Sequence, residues 1–260
     1  MRILAIHAHP DDVEFLAGGT MALLADLGHD LTIATFTAGD CGSKEMGPAE
    51  ISDVRRREAA KAAARIGAHY VCLEFGDLAI FNDDQSRRSV TEALRRMRPD
   101  IVLTASPVDY HCDHEAASAL VRDACFAAPA PNYRCGAAAP LAGIPHLYFM
   151  DPVEGKDPDG RVVTPDFVVD IGAAFARKRE MLEEHASQRV WLRQHHGVDS
   201  YLDEMERWTR ARGALVERQF GEGFRRYRGH AYPQSGLLEE LLGRVVVRLD
   251  QTQYLSEQKP

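Results

Sequence analysis

The stretch RILAIHA, residues 2–8, constrains the fold more than any other. It is a nearly continuous apolar run, the pattern of a strand buried on both faces rather than on one. Such a strand lies inside a sheet with helices on either side, and the first half of the chain supplies them. A helix is predicted over 18–28, a strand over 30–39, and a helix from Pro48 to about Gly67. A third strand follows over 69–75, a helix over 86–100 closed by Pro99, a fourth strand over 100–106, and a helix over 114–128. This rhythm predicts a Rossmann-like, doubly wound α/β fold, with a mostly parallel sheet and right-handed crossovers. The Ala/Pro/Gly-rich stretch 128–145 reads as a loop over the mouth of a site. Strands are expected over 146–151 and 166–172, and helices over 173–188 and 199–220. One domain over 1–260 results, with a core of about 1–190 and a helical C-terminal part of about 191–260. The run RVVVRL near the end suits an exchanged or interfacial strand.

Charge and cysteine content narrow the function. A net charge of −8 over 260 residues argues against a nucleic-acid partner, which leaves a basic footprint. The basic clusters RRREAAKAAAR, GFRRYRGH and RKRE read as solvated helix faces. Five cysteines, an odd number with no CxxC pair, read as reduced thiols. No apolar run approaches the ~18 residues that span a bilayer, and the N-terminus enters a strand without a signal-like segment. A cytoplasmic protein is expected.

Chemistry concentrates at two strand ends. The first strand ends near Ala8, so HPDD occupies its C-terminal loop; the fourth ends near Ser106, so PVDYHCDH (107–114) occupies another. In a sheet ordered 3-2-1-4 those strands are neighbours whose crossovers leave on opposite faces, the switch point where ligands bind. Asp11 and Asp12 are like charges crowded at a buried strand end, and a divalent cation resolves the conflict. His9, Asp12 and His114 give two imidazoles and a carboxylate, the set of a catalytic zinc that keeps a position for water. Iron(II) accepts the same ligands. Asp11, not ligating, can take a proton from water. His111 can polarise or protonate a substrate oxygen, and Asp113 can orient His111 and favour its imidazolium form.

AHPDDVE (8–14) and HCDH (111–114) resemble the paired signatures of the PIG-L/LmbE-like zinc-dependent N-acetylglucosaminyl deacetylases, over roughly residues 1–190. The resemblance implies a hydrolase acting on a small N-acetylated amino-sugar conjugate. Its zinc ligands fall on His9, Asp12 and His114, its general base on Asp11, and its second histidine on His111 with Asp113 as partner. It implies a substrate-side arginine at Arg55, with Arg56 and Arg57 competing for that place. Asp40, in TAGDCG, ends the second strand and faces the same crevice. Relatives of this kind often form homo-oligomers. Hydrolysis of another N-acyl amide and a non-catalytic sugar- or nucleotide-binding module are the alternatives. Cys112 stands where the family usually has proline and is a rival ligand by chemistry alone.

Other conspicuous residues have plainer readings. His7 reads as a packed strand histidine, and Gly18 and Gly19 as close packing at a helix rather than a dinucleotide loop. His185 is divided between packing and pocket. Trp191 and Trp208 read as core or subunit contact, and His195 and His196 as surface.

Overall fold

The computed structural model describes residues 1–189 and 201–249. Eight strands form one sheet: β1 (Arg2–His7), β2 (Asp30–Thr37), β3 (His69–Phe75), β4 (Ile101–Thr104), β5 (His146–Met150), β6 (Phe167–Asp170), β7 (Gly221–Arg226) and β8 (Val246–Arg248). Their order is β3-β2-β1-β4-β5-β7-β6-β8. The first five are parallel, and β1 pairs with both β2 and β4, Ile3 facing Leu31 on one side and Ile101 on the other. The expected 3-2-1-4 order is therefore present.

The helices are α1 (Asp12–Asp26), α2 (Pro48–Ala64), α3 (Asp84–Met97), α4 (Cys112–Ala127), α5 (Phe175–Glu183), α6 (Tyr201–Ala214) and α7 (Leu237–Leu242). Strand alternation sends Ile3 and Ala5 into one core, with Leu16 and Met21 of α1 and Met181 of α5. Leu4 and Ile6 enter the other, with Leu94 of α3 and Leu120 of α4. Both faces of β1 are thus dry, which is why its sequence does not alternate. Each fully buried aliphatic side chain contributes about 1.5–3 kcal/mol. Since α1 covers one face and α4 the other, the C-terminal ends of β1 and β4 open into a shared crevice.

The C-terminal part is not simply helical. β7 runs antiparallel between β5 and β6, and β8 pairs with β6 of the same chain. The cluster GFRRYRGH, read as a helix face, belongs largely to β7. It was illegible because Gly221 and Gly223 replace the apolar residues of an ordinary inner strand. A Cβ at Gly223 would lie 2.1 Å from Asp151, and one at Gly221 2.5 Å from Val168. RKRE is also not wholly solvated. Lys178 is fully buried, 2.5 Å from Glu222 of β7. Its ammonium also donates to the Phe15 carbonyl, while Glu222 accepts the Gly19 and Thr20 N–H groups of α1. The Gly18–Gly19 pair permits this approach: a Cβ on Gly19 would stand 2.5 Å from Ile171, and one on Gly18 3.3 Å from Lys178.

Candidate active site

α1 begins earlier than the periodicity suggested, at Asp12, and α4 begins at Cys112. The two motifs are therefore tight strand-to-helix turns. Asp11 makes the first turn with φ 97° and ψ −26°, a left-handed conformation costly for a residue with a Cβ. The turn separates the two neighbouring carboxylates and gives each its own surroundings.

Asp12 Oδ2 is a focal atom. His9 Nδ1 lies 3.4 Å away and His114 Nε2 3.5 Å. Two donors bound to one tetrahedral zinc at about 2.0–2.1 Å stand about 3.3 Å apart, so both separations suit co-ligands of one ion. His7 Nδ1 is closer to Asp12 Oδ2, at 2.7 Å, a hydrogen-bond length. His7, Asp12 and His114 also have donor atoms within 4.8 Å of one another, but the short contact and complete burial of His7 fit a residue that orients the Asp12 carboxylate. Burial alone would raise the Asp12 pKa; the imidazoles of His7 and His114 outweigh it and hold the carboxyl well below its usual range.

Each imidazole of the expected ligand set is backed by a carboxylate. His9 Nε2 is 3.1 Å from Asp113 Oδ2, and His114 Nδ1 is 3.0 Å from Asp109 Oδ1. Such pairs fix ring orientation and tautomer in metal sites. The donor set, its spacing and its carboxylate backing all fit a divalent ion. Burial works against a proton on His9, but its hydrogen bonds to Asp113 and Asp12 prevail and bring its pKa to about 10. Protons and a cation therefore compete for this site.

The partner expected for His111 goes elsewhere. The Asp113 carboxylate serves His9 and accepts the Leu78 N–H at 2.8 Å. It is the Asp113 backbone N–H that reaches His111, donating to Nδ1 at 3.1 Å and capping α4. This bond assigns the neutral His111 proton to Nε2. Burial, reinforced by the neighbouring His9 and His114, lowers the His111 pKa, so the imidazolium form expected from the sequence is disfavoured. Asp109 is the acid that sequence reasoning missed. It sits inside the quoted loop, buried, and also accepts the His111 and Val153 N–H groups.

Asp11 has different company. The Tyr201 hydroxyl donates to Asp11 Oδ2 at 2.5 Å, and Arg55 Nη2 is 3.9 Å from Oδ1. Burial raises the Asp11 pKa; Arg55 opposes the rise, and the Asp12 charge adds to it. Among the three consecutive arginines the structure selects Arg55, which is buried and donates to the Pro10 carbonyl at 3.0 Å. Arg56 pairs on the surface with Asp53 and Glu74, and Arg57 is exposed. Two glycines admit Arg55: a Cβ would meet its guanidinium at 2.2 Å from Gly39 and 2.6 Å from Gly42. Gly39 also has φ +76°, which glycine adopts freely.

Asp11, Arg55, His111 and His114 line a cavity of about 330 Å³, with Asp77 and Gln188 on its wall. Asp40, expected to meet substrate, does not line it. Its carboxylate accepts the Asp77 N–H at 2.7 Å, and Asp77 accepts the Cys41 N–H in return, so Asp40 braces two loops. Cys112 is exposed and belongs to neither histidine cluster. His185 is buried 3.5 Å from Glu14 and does not line the cavity. Trp191, His195 and His196 lie outside the described residues.

Comparison with known proteins agrees with this architecture. The PIG-L family profile, described as GlcNAc-PI de-N-acetylase, matches residues 4–125. A 4-oxalmesaconate hydratase of Pseudomonas putida is 30% identical, over 72% of this chain and 74% of its own. A diacetylchitobiose deacetylase of Thermococcus kodakarensis is 28% identical, over 72% of this chain and 70% of its own. The solved N,N'-diacetylchitobiose deacetylase of Pyrococcus horikoshii, 23% identical, shares the fold with a TM-score of 0.74 over 91% of this chain and 88% of its own. No helix among the described residues is long and apolar enough to cross a membrane. With both motifs inside the matched segment and a 30% identical relative spanned over most of its length, the chain belongs to the PIG-L family.

Proposed function

We propose that this protein is a zinc-dependent hydrolase that removes an acetyl group from an N-acetylglucosamine-type conjugate. The observation that carries the reading is the separation of Asp11 from Asp12: one carboxylate faces two imidazoles at ligand spacing, and its neighbour is held apart by Tyr201 and Arg55. Relatives named as deacetylases of acetylated amino sugars support the substrate class. His9, Asp12 and His114 would hold the ion, zinc by ligand type, with iron(II) able to take the same donors. When bound, the ion supplies Lewis acidity towards the amide oxygen and acidifies water.

The remaining steps belong to side chains. Asp11 accepts a proton from the attacking water as the water oxygen bonds to the amide carbon. Its raised pKa brings a carboxylate nearer the range of a useful base. His111 Nε2–H donates to the carbonyl oxygen as negative charge gathers there. The proton held by Asp11 passes to the amide nitrogen, the C–N bond breaks, and acetate and a free amine leave. Arg55 keeps Asp11 from rising further and presents positive charge to the cavity. We place the protein in the cytoplasm, where its free cysteines stay reduced.

The test is acetate release from N-acetylglucosamine and its glycosides by zinc-loaded protein. Equal amounts of acetate and free amine are expected, with activity lost to a chelator and restored by zinc. No acetate from any N-acetylglucosaminide would contradict the reading. The 30% identical hydratase favours a second reading, addition of water to an unsaturated dicarboxylate by the same base. Loss of conjugated enol absorbance on 4-oxalmesaconate, without acetate chemistry, would select it.

A further inference from the structure

The cavity at the histidines does not end there. It shares Asp11, Tyr110, His114 and Gln188 with a second cleft of about 180 Å³ that reaches Phe15, Tyr201 and Glu204. This shares Phe15, Val153 and Glu204 with a third, of about 250 Å³, which ends at Lys156, Arg207 and Trp208. The three form one groove. Its outer wall is a single face of α6: Tyr201, Glu204 and Trp208 follow i, i+3, i+7 spacing. Seven residues of helix rise about 10.5 Å, so the far end lies roughly one further ring beyond a sugar placed at Asp11.

The far end is built and tied to the reacting end. Gly155 packs so close that a Cβ there would stand 1.9 Å from Arg212 and 2.4 Å from Trp208. Arg212 lies 4.2 Å from the Trp208 ring centroid and is anchored at 2.5 Å to buried Asp151. Val153, on the same loop, donates to Asp109, the carboxylate behind His114. Charge there is unbalanced in a specific way. Lys156 and Arg207 have no ion-pair partner among the described residues, whereas Glu204 is already engaged. Glu154 is the one carboxylate on this wall in the same state as the two cations.

We infer that this outer cleft is a subsite for the part of the substrate beyond the acetylated sugar, and that it takes a ring bearing an anionic group, a carboxylate or a phosphate. Trp208 and Phe15 cover the ring; Lys156 and Arg207 meet the anion. The inference rests on the deacetylase reading for what occupies the inner cavity, and extends it to the nature of the aglycone.

The test uses zinc-loaded full-length protein and three N-acetylglucosaminides with phenyl, 4-carboxyphenyl and 4-phosphophenyl aglycones. At least a tenfold preference in kcat/KM is expected for an anionic glycoside over the neutral one, and the better of the two anions identifies the group. The preference should fall at least fivefold in the Lys156→Ala/Arg207→Ala double variant, through KM, and persist in Arg57→Ala. Trp208→Ala should raise KM for all three. Equal kcat/KM for neutral and anionic glycosides, or a preference unchanged in the double variant, overturns the subsite. If none of the three releases acetate, the deacetylase reading fails, and the subsite is judged by binding. Trp208 fluorescence in a Trp191→Phe background should then be quenched saturably by the 4-carboxyphenyl glycoside, and less so with both cations removed; absence of quenching overturns the subsite as well.

Discussion

Two sides of one cavity treat adjacent aspartates in opposite ways. On the side built by the ends of β1 and β4, Asp12 meets His7, His9 and His114, and its carboxyl is held far down. On the side closed by α6, Asp11 is enclosed with a phenol and a single guanidinium, and burial carries its pKa up. The backbone change that divides them is one left-handed residue. One sequence motif thus yields a cation-binding carboxylate and a proton-accepting one, by environment alone.

The largest expected effect breaks the first side. Asp12→Ala or His114→Ala should lose bound metal and all metal-dependent turnover; full zinc stoichiometry by elemental analysis in either variant would mean the donor set is wrong. Asp11→Asn acts on the second side. It should keep the metal and lose about 10²–10⁴-fold in kcat, the usual worth of a positioned base. Were metal lost with it, the two aspartates would not be separate in role. Next come the backing carboxylates. Asp109→Asn and Asp113→Asn should each weaken metal affinity by about 10–100-fold, measured by competition with a chromophoric chelator. An Asp113→Asn defect confined to kcat would instead return Asp113 to His111.

The smallest effect sharpens the second side. Turnover needs Asp11 ionised, so activity is present above its pKa and fades as pH falls through it. The Tyr201 hydroxyl stabilises the ionised form. Tyr201→Phe should therefore move the acid limb of kcat to higher pH, with a loss of severalfold near neutrality and little change well above the limb. An unmoved limb would remove Tyr201 from the site.

Legibility in the sequence follows the same division. β1 announces itself because both faces are covered by apolar neighbours close in the fold, and its run contains no alternation to misread. HPDD and HCDH were legible because each sits directly after a parallel strand, and topology does the rest. Asp109 was hidden for a different reason. A lone acid in a polar loop carries no pattern, and only its contact with His114 distinguishes it. Tyr201 stands 190 residues from Asp11, and nothing local to either marks the pair. β7 and Lys178 were misread because their charges look solvated until Glu222 and Asp151 are placed opposite them. Local pattern reports burial by apolar contact well and burial by ion pairing poorly.

The central claim is that neighbouring aspartates part company at one backbone turn. Anomalous diffraction at the zinc edge from crystals of metal-loaded protein tests it most directly. The account predicts a single ion bound by residues 9, 12 and 114, with the Asp11 carboxylate outside its coordination sphere and still bonded to Tyr201. An ion ligated by Asp11, or seated on His7 in place of His9, would contradict it.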